Sequence, residues 1–148
     1  MRFLLGFIIT TIFLNTIAYS GESKMTVDQL PQEVQTFLTS VQNSDSNLFE
    51  TLLVEDSIID DWGKIIRGKN EVLKFSETHL VGAKGVYEID AIKMVDGNAL
   101  LDGTWKSDAH TGPTRFIFEI KDGKIKKLVI SSPRWIDRVY ISISSVFN

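Results

Sequence analysis

The chain has no cysteine. Disulfides, thiolate nucleophiles and cysteine-type zinc sites are excluded, as is a lipid anchor that needs a cysteine at a new N-terminus. Histidine is nearly absent as well: His79 and His110 are the only two, and they are not spaced as a helical His-x-x-x-His pair. A metal site built on imidazoles is therefore not expected, and no cofactor is implied. Positive charge is never concentrated into a stripe. The net charge is −3, and the one lysine cluster, Lys124, Lys126 and Lys127, falls at a hairpin where a solvated edge accounts for it. Nucleic acid is not an expected partner. Repeats and low-complexity linkers are missing too. What remains is 148 residues, 43% hydrophobic and 24% charged, an ordinary composition for one domain with a real core.

Long hydrophobic runs are confined to one place, residues 3–14, broken only by Gly6 and two threonines. The run is short for a membrane-spanning helix and is followed by Asn15. Arg2 precedes it, and Ala18 and Ser20 place small residues at −3 and −1 of a cleavage site after residue 20. This three-part pattern is that of a secretory signal peptide. The expectation is a leader at residues 1–20, a mature domain that is periplasmic or secreted, and no membrane attachment after cleavage. A retained anchor is the alternative.

The most informative stretch runs from Gly85 to Ser131. It reads as four strands, residues 85–95, 98–107, 114–121 and 124–131. Asp96-Gly97 and Asp122-Gly123 form two of the joints, and Asp-Gly between β-rich runs is a strong hairpin signal. The third joint, residues 108–113, is longer and reads as a loop at the sheet rim. An antiparallel meander of this kind needs an apolar partner on one face.

Upstream segments supply it. Thr26 to Gln29 has capping-box spacing, and Pro31 is an equally good first helical residue. Val34, Phe37, Leu38 and Val41 then recur at helical spacing. Ser44 or Asp45 caps a second short helix carrying Leu48, Phe49, Leu52 and Leu53. Residues 57–62 turn extended and Gly63 ends them. A third helix begins near Arg67-Gly68 and carries Val72, Phe75 and His79.

Inside the meander the two-residue period slips. Tyr87, Ile89 and Ala91 share one parity and Ile92 and Met94 the other; Ile125 and Val129 oppose Leu128 and Ile130. Such slips mean two-sided burial or β-bulges, and Gly103 in mid-strand is a further bend point. A bent sheet wrapped around helices leaves a pocket. The C-terminal extension, residues 132–148, alternates Val139, Ile141 and Ile143 with polar residues, as an added strand or a dimer contact would.

Helix, short helix, strand, helix and four-stranded meander is the element order of the nuclear transport factor 2-like (NTF2-like) fold. Local sequence agrees: Glu55-Asp56-Ser-Ile-Ile-Asp60-Asp61-Trp62-Gly63 followed by Arg67-Gly68-Lys-Asn-Glu-Val72 resembles the acidic strand and helix start of SnoaL-like domains. Residues 116–125 with Leu128 and Ile130 resemble their closing hairpin. The resemblance covers about residues 30–131 and implies an α+β, NTF2-like cone, three N-terminal helices on a curved antiparallel meander, spanning residues 21–131. It is specific for fold rather than activity, since this superfamily mixes enzymes, binders and transport factors. Ketosteroid isomerases of the superfamily use an aspartate at the end of the acidic strand, where Asp61 stands. Their oxyanion-hole tyrosine corresponds to Phe37, which donates no hydrogen bond, and residues 114–118 offer no second acid. Without that hole the largest catalytic contribution is missing, so isomerase chemistry of that type is not expected.

The candidate residues each carry two readings. Asp61 is a general base if burial raises its pKa, or a strand-end carboxylate, solvated or paired with Arg67 or Lys64. His110 lies at a pocket mouth or on a surface loop. Trp62, Tyr87, Trp105, Phe116 and Phe118 line a concavity or pack the core. Arg115 holds an anionic group at the rim or is a surface strand residue. Asp102 faces solvent or is a buried functional acid. Three functions are compatible with these residues: a pocket that binds a small, mostly apolar molecule; an isomerase, cyclase or dehydratase with Asp61 as base; or a module for homodimerisation or protein interaction.

Overall fold

The computed structural model describes residues 24–133. The expected leader at residues 1–20 and the strand-like pattern after Pro133 lie outside the described residues. Thr26 opens a single 3-10 turn, Val27–Gln29, and its N–H donates to Gln29 Oε1 at 2.9 Å, one half of the expected capping box. The first helix proper, α1 (Gln32–Asn43), starts one residue after Pro31 and buries Val34, Phe37 and Val41, with Leu38 partly buried beside them. It ends where Ser44 turns left-handed, at φ 52°. Asp45 then caps α2 (Ser46–Glu50), its Oδ1 accepting from Leu48 N–H at 2.9 Å. This helix is one turn long, so Leu52 lies beyond its end. Leu53 is already the first residue of β1 (Leu53–Asp61), a strand with no turn signal before it.

Two features differ from the sequence-based expectation. The sheet has six strands, and it is mixed. Trp62 and Gly63 do not end an isolated strand; both have positive φ, 54° and 91°, and form the two-residue turn of a hairpin into β2 (Lys64–Arg67). Asp60 Oδ1 closes that turn by accepting from Gly63 N–H at 2.9 Å. The third helix, α3 (Lys69–His79), starts directly after Gly68. The meander is as expected in order, with β3 (Val86–Val95), β4 (Asn98–Lys106), β5 (Thr111–Lys121) and β6 (Lys124–Ser131). The sheet order is β2-β1-β6-β5-β4-β3, with β1 parallel to β6 and Asp61 opposite Ile130. Parallel pairing joins strands far apart in sequence, so no local signal announces it.

The slips in the two-residue period are bulges. Register shifts fall between Ile89 and Ala91 on β3 and between Glu119 and Ile120, opposite β6, where the parity changes. Gly103 marks a close approach. A Cβ there would lie 2.2 Å from the Glu88 carbonyl and 3.0 Å from the Tyr87 ring, so the Tyr87 side chain crosses β4 over a position with no side chain.

The bent sheet has a helix-covered face and an outer face. Ala99, Leu101, Trp105, Phe116, Phe118 and Leu128 join Phe37 and Phe49 in the main core. Leu100 and Ile117 form a smaller apolar cluster on the other face, flanked by Val95 and Val129. Phe75, on the α3 face, packs against the edge of the main core and is only partly buried, unlike Phe37.

Candidate functional site

A cavity of about 230 Å³ opens at one end of the cone, where β1 and β6 finish and α3 ends. Asp61 and Trp62 enter it from β1 and its turn, and Phe75, His79 and Leu80 from α3. Trp105, Ala109 and His110 come from β4 and the loop after it, and Thr114 and Phe116 from β5. The strand pairing puts Asp61 on the helix-covered face beside Ile130, while Asp60 points outward toward Lys127, at 3.8 Å. His79, expected only as a helix-face residue, comes to the same cavity as His110. A sequence distance of 31 residues hides that pairing, and the α3 spacing through Phe75 was the one available signal.

Of the sequence-predicted ligand contacts, Trp62, Trp105, His110 and Phe116 meet at this cavity with Asp61, and three do not. Phe118 is fully buried, its ring 5.1 Å from that of Phe37. Tyr87 borders a separate apolar groove, with Val27, Leu38 and Val86 among its walls. Its hydroxyl lies 2.8 Å from the Leu101 carbonyl and 2.9 Å from the Thr114 carbonyl, and burial and then the charge of Asp102 push its pKa well above the ordinary tyrosine value. Arg115 faces away from the cavity, on the side of Ile117. It forms a bidentate pair with Asp102 across β4 and β5, at 2.5 and 2.8 Å, so it is neither an anion clamp at the pocket rim nor a plain surface residue. The same pair answers for Asp102, which is neither solvated nor a free buried acid.

Core rings fill most of the expected pocket. Phe37 meets Phe49, Phe116 and Phe118 edge-on at 5.1 to 5.8 Å, so the interior of the cone is packed and the cavity is confined to its mouth. Phe37 itself is shut off from it.

Asp61 is the electrostatic centre of the cavity. Among the described residues it makes no ion pair with Arg67 or Lys64, nor with any other cation. Burial pushes its carboxyl above the ordinary value of 3.8, against the pull of His79 and Lys64; Asp60 adds to the rise, and His110 weakly opposes it. The folded chain thus holds this proton more tightly than the unfolded chain. Stability is lost as pH rises through the ordinary aspartate value and up to the folded one. Asp61→Asn is therefore expected to stabilise the protein near neutral pH and to leave it unchanged in acid, in urea titrations at the two pH values. A loss of stability at neutral pH would show that the carboxylate holds a structural contact. Among the described residues no group of three His, Asp or Glu side chains is arranged to hold a metal ion.

No protein-family model matches this chain, and no curated protein matches it with significance. Solved structures do. A candidate polyketide cyclase from Sinorhizobium meliloti is 20% identical, with 72% of this chain and all of that one covered at a TM-score of 0.64. A Mycobacterium tuberculosis protein in complex with estradiol-17β-hemisuccinate is 18% identical over 69% of this chain and 92% of that one, at 0.60. Delta 5-3-ketosteroid isomerase from a Mycobacterium species is 17% identical, covering 67% and 88%, at 0.59. At such identities the likeness speaks for architecture alone. Three helices on a curved, mixed six-stranded sheet, matched over nearly the whole length of these neighbours, give this chain the NTF2-like fold.

Proposed function

We propose that the cavity binds a small, mostly apolar molecule and that Asp61 moves a proton on it. The observation that carries this reading is a carboxyl group without an ion-pair partner among the described residues, set among aromatic walls with its pKa raised by burial. A poised base needs that combination, and a purely structural carboxylate at a strand end does not. The neighbours that bind a steroid derivative or isomerise ketosteroids lean the same way. The leader pattern supports action outside the cytoplasm, which the intact mass of the exported chain checks by starting near Gly21.

Trp62 gives a second support. It sits at φ 54° in a turn position suited to Asn or Gly, a conformation that costs a residue with a Cβ about 1–2 kcal/mol. Its side chain is nevertheless 48% exposed at the cavity rim, so the core does not repay that cost. A ligand stacked on the indole would. Trp62→Asn is expected to raise stability by about 1 kcal/mol while weakening binding of a bicyclic probe such as indane, followed by NMR shifts at Ala109 and Thr114. Unchanged affinity would remove Trp62 from the site. Failure of indane to shift any cavity residue in the parent protein would remove the binding reading itself.

A further inference from the structure

We infer that β3 is an interface: it pairs with β3 of a second copy of this chain, antiparallel across a two-fold axis, and joins two six-stranded sheets into one. Among the described residues β3 pairs with β4 alone, so the ten residues Val86–Val95 present an unpaired row of N–H and C=O groups. Open apolar surface gathers at the same place. Of the five large apolar side chains exposed among the described residues, Val86 (59%) and Met94 (40%) lie on β3, and Val27 (42%) borders it. Two apolar grooves follow this edge. One, of about 400 Å³, lies between Leu38 of α1 and Tyr87; the other, of about 290 Å³, lies between Met25 and Ile92. Val27 and Ile89 belong to both. An added strand needs this combination, since main-chain hydrogen bonds hold it and side-chain pockets select it.

The sequence of β3 identifies the occupant. Edge strands commonly carry charges that keep other strands away, and β3 has Glu88, Asp90 and Lys93. These charges complement their own copy. In an antiparallel pair centred between Asp90 and Ala91, Glu88 stands opposite Lys93 on both sides of the axis. Val86 then meets Val95, Tyr87 meets Met94, and Ile89 meets Ile92.

The bulge makes that register possible. On a regular strand Glu88 and Lys93 would point to opposite faces, because side chains alternate every residue. The register shift between Ile89 and Ala91 removes the mismatch. Val86, Glu88, Lys93 and Val95 pair with Lys106, Thr104, Leu100 and Asn98, all on the outer face of β4. Tyr87, Ile89, Ile92 and Met94 pair with Trp105, Gly103, Leu101 and Ala99, on the face that carries the main core. Every opposed pair of the proposed interface therefore shares a face, and a slip by one residue would set outer residues against core-side ones.

The side chains have room for the contact. Glu88 Oε1 takes Lys106 Nζ at 2.6 Å, which leaves Oε2 for Lys93 of the other copy, and Lys93 has no ion pair among the described residues. Met94 of the other copy falls beside Tyr87, at the larger groove, and its Ile92 falls beside Ile89, where the grooves meet. The two copies of Asp90 flank the axis as like charges, so Asp90→Asn should tighten the pair.

The test is sedimentation velocity of the full mature chain up to about 0.1 mM, with hydrogen exchange of the β3 amides at low and high concentration. A dimer is expected, together with slower exchange in β3 as concentration rises. Lys93→Glu sets glutamate against glutamate twice and should weaken the dimer at least about tenfold. Adding Glu88→Lys to that variant should restore it. All of these side chains are exposed, and recovery in the double variant also shows that the fold is intact. A monomer at every concentration would overturn the inference, including one whose β3 amides are protected by another part of the same chain. So would a dimer indifferent to Lys93→Glu, or a double variant that stays monomeric. β3 gives no residue to the cavity at the cone mouth, so indane titrations there should match in the parent and Lys93→Glu, and the two readings fail separately.

Discussion

Phe37→Ala is expected to cost about 3–5 kcal/mol of folding stability. Phe37 is fully buried at the point where α1, α2 and the sheet converge. Its ring makes edge contacts with Phe49, Phe116 and Phe118, each pair contributing about 0.5–1.5 kcal/mol beyond area burial. The hole left behind is walled by other rings locked in the same cluster, so it cannot collapse without moving β5 away from α1. Urea unfolding gives the number directly. A loss below about 1 kcal/mol would show that the aromatic cluster repacks, and with it that the cavity is not held to the mouth of the cone. Phe75→Ala provides the contrast. Its ring is only partly buried, so the stability loss should be much smaller, and the visible effect should fall on His79 and the cavity.

Asp102→Ala is expected to cost about 3 kcal/mol, because it removes the bidentate partner of a guanidinium that is almost entirely buried. The Arg115 residue is 8% exposed, next to the apolar patch of Leu100 and Ile117. Taking away the carboxylate strips a mostly buried guanidinium of its bidentate counter-ion. Asp102→Asn should cost less, since one acceptor oxygen survives. Replacing both residues with leucine should recover most of the loss, because a buried ion pair and a well-packed apolar pair are often nearly equal in stability. The readout is a double-mutant cycle in urea. Additive losses would mean that the two side chains do not depend on each other, and cavity binding should stay unchanged throughout because the pair faces the opposite side of the sheet.

The residues that were legible in advance are those whose signal is local. Asp96-Gly97 and Asp122-Gly123 set two hairpins, both with left-handed aspartates, and the spacing of Val34, Phe37 and Val41 set the buried face of α1. The parity changes around Ala91 and Leu128 reported bulges because side-chain alternation is strictly two-residue, so an inserted residue leaves a visible trace. The hairpin at Trp62-Gly63 was missed for the converse reason: tryptophan in a left-handed turn position carries no turn signal, and β2 is only four residues long.

The sequence by itself therefore determined the order of the helices and of the four meander strands, the bends in the sheet and the position of Asp61 at a strand end. It also excluded thiol chemistry, because that depends only on which residues are present. Tertiary structure alone decided the rest. The parallel pairing of β1 with β6 brings Asp61 beside Ile130, across a sequence separation that no local pattern spans. The length of the β4–β5 loop sets which residues face each other across those strands, and that register made Arg115 the partner of Asp102 rather than a group at the pocket rim. Whether an aromatic ring lines a cavity or fills it depends on what packs against its other side. That is why Trp105 and Phe116 form the walls of the site while Phe118, on the same face of the same sheet, disappears against Phe37.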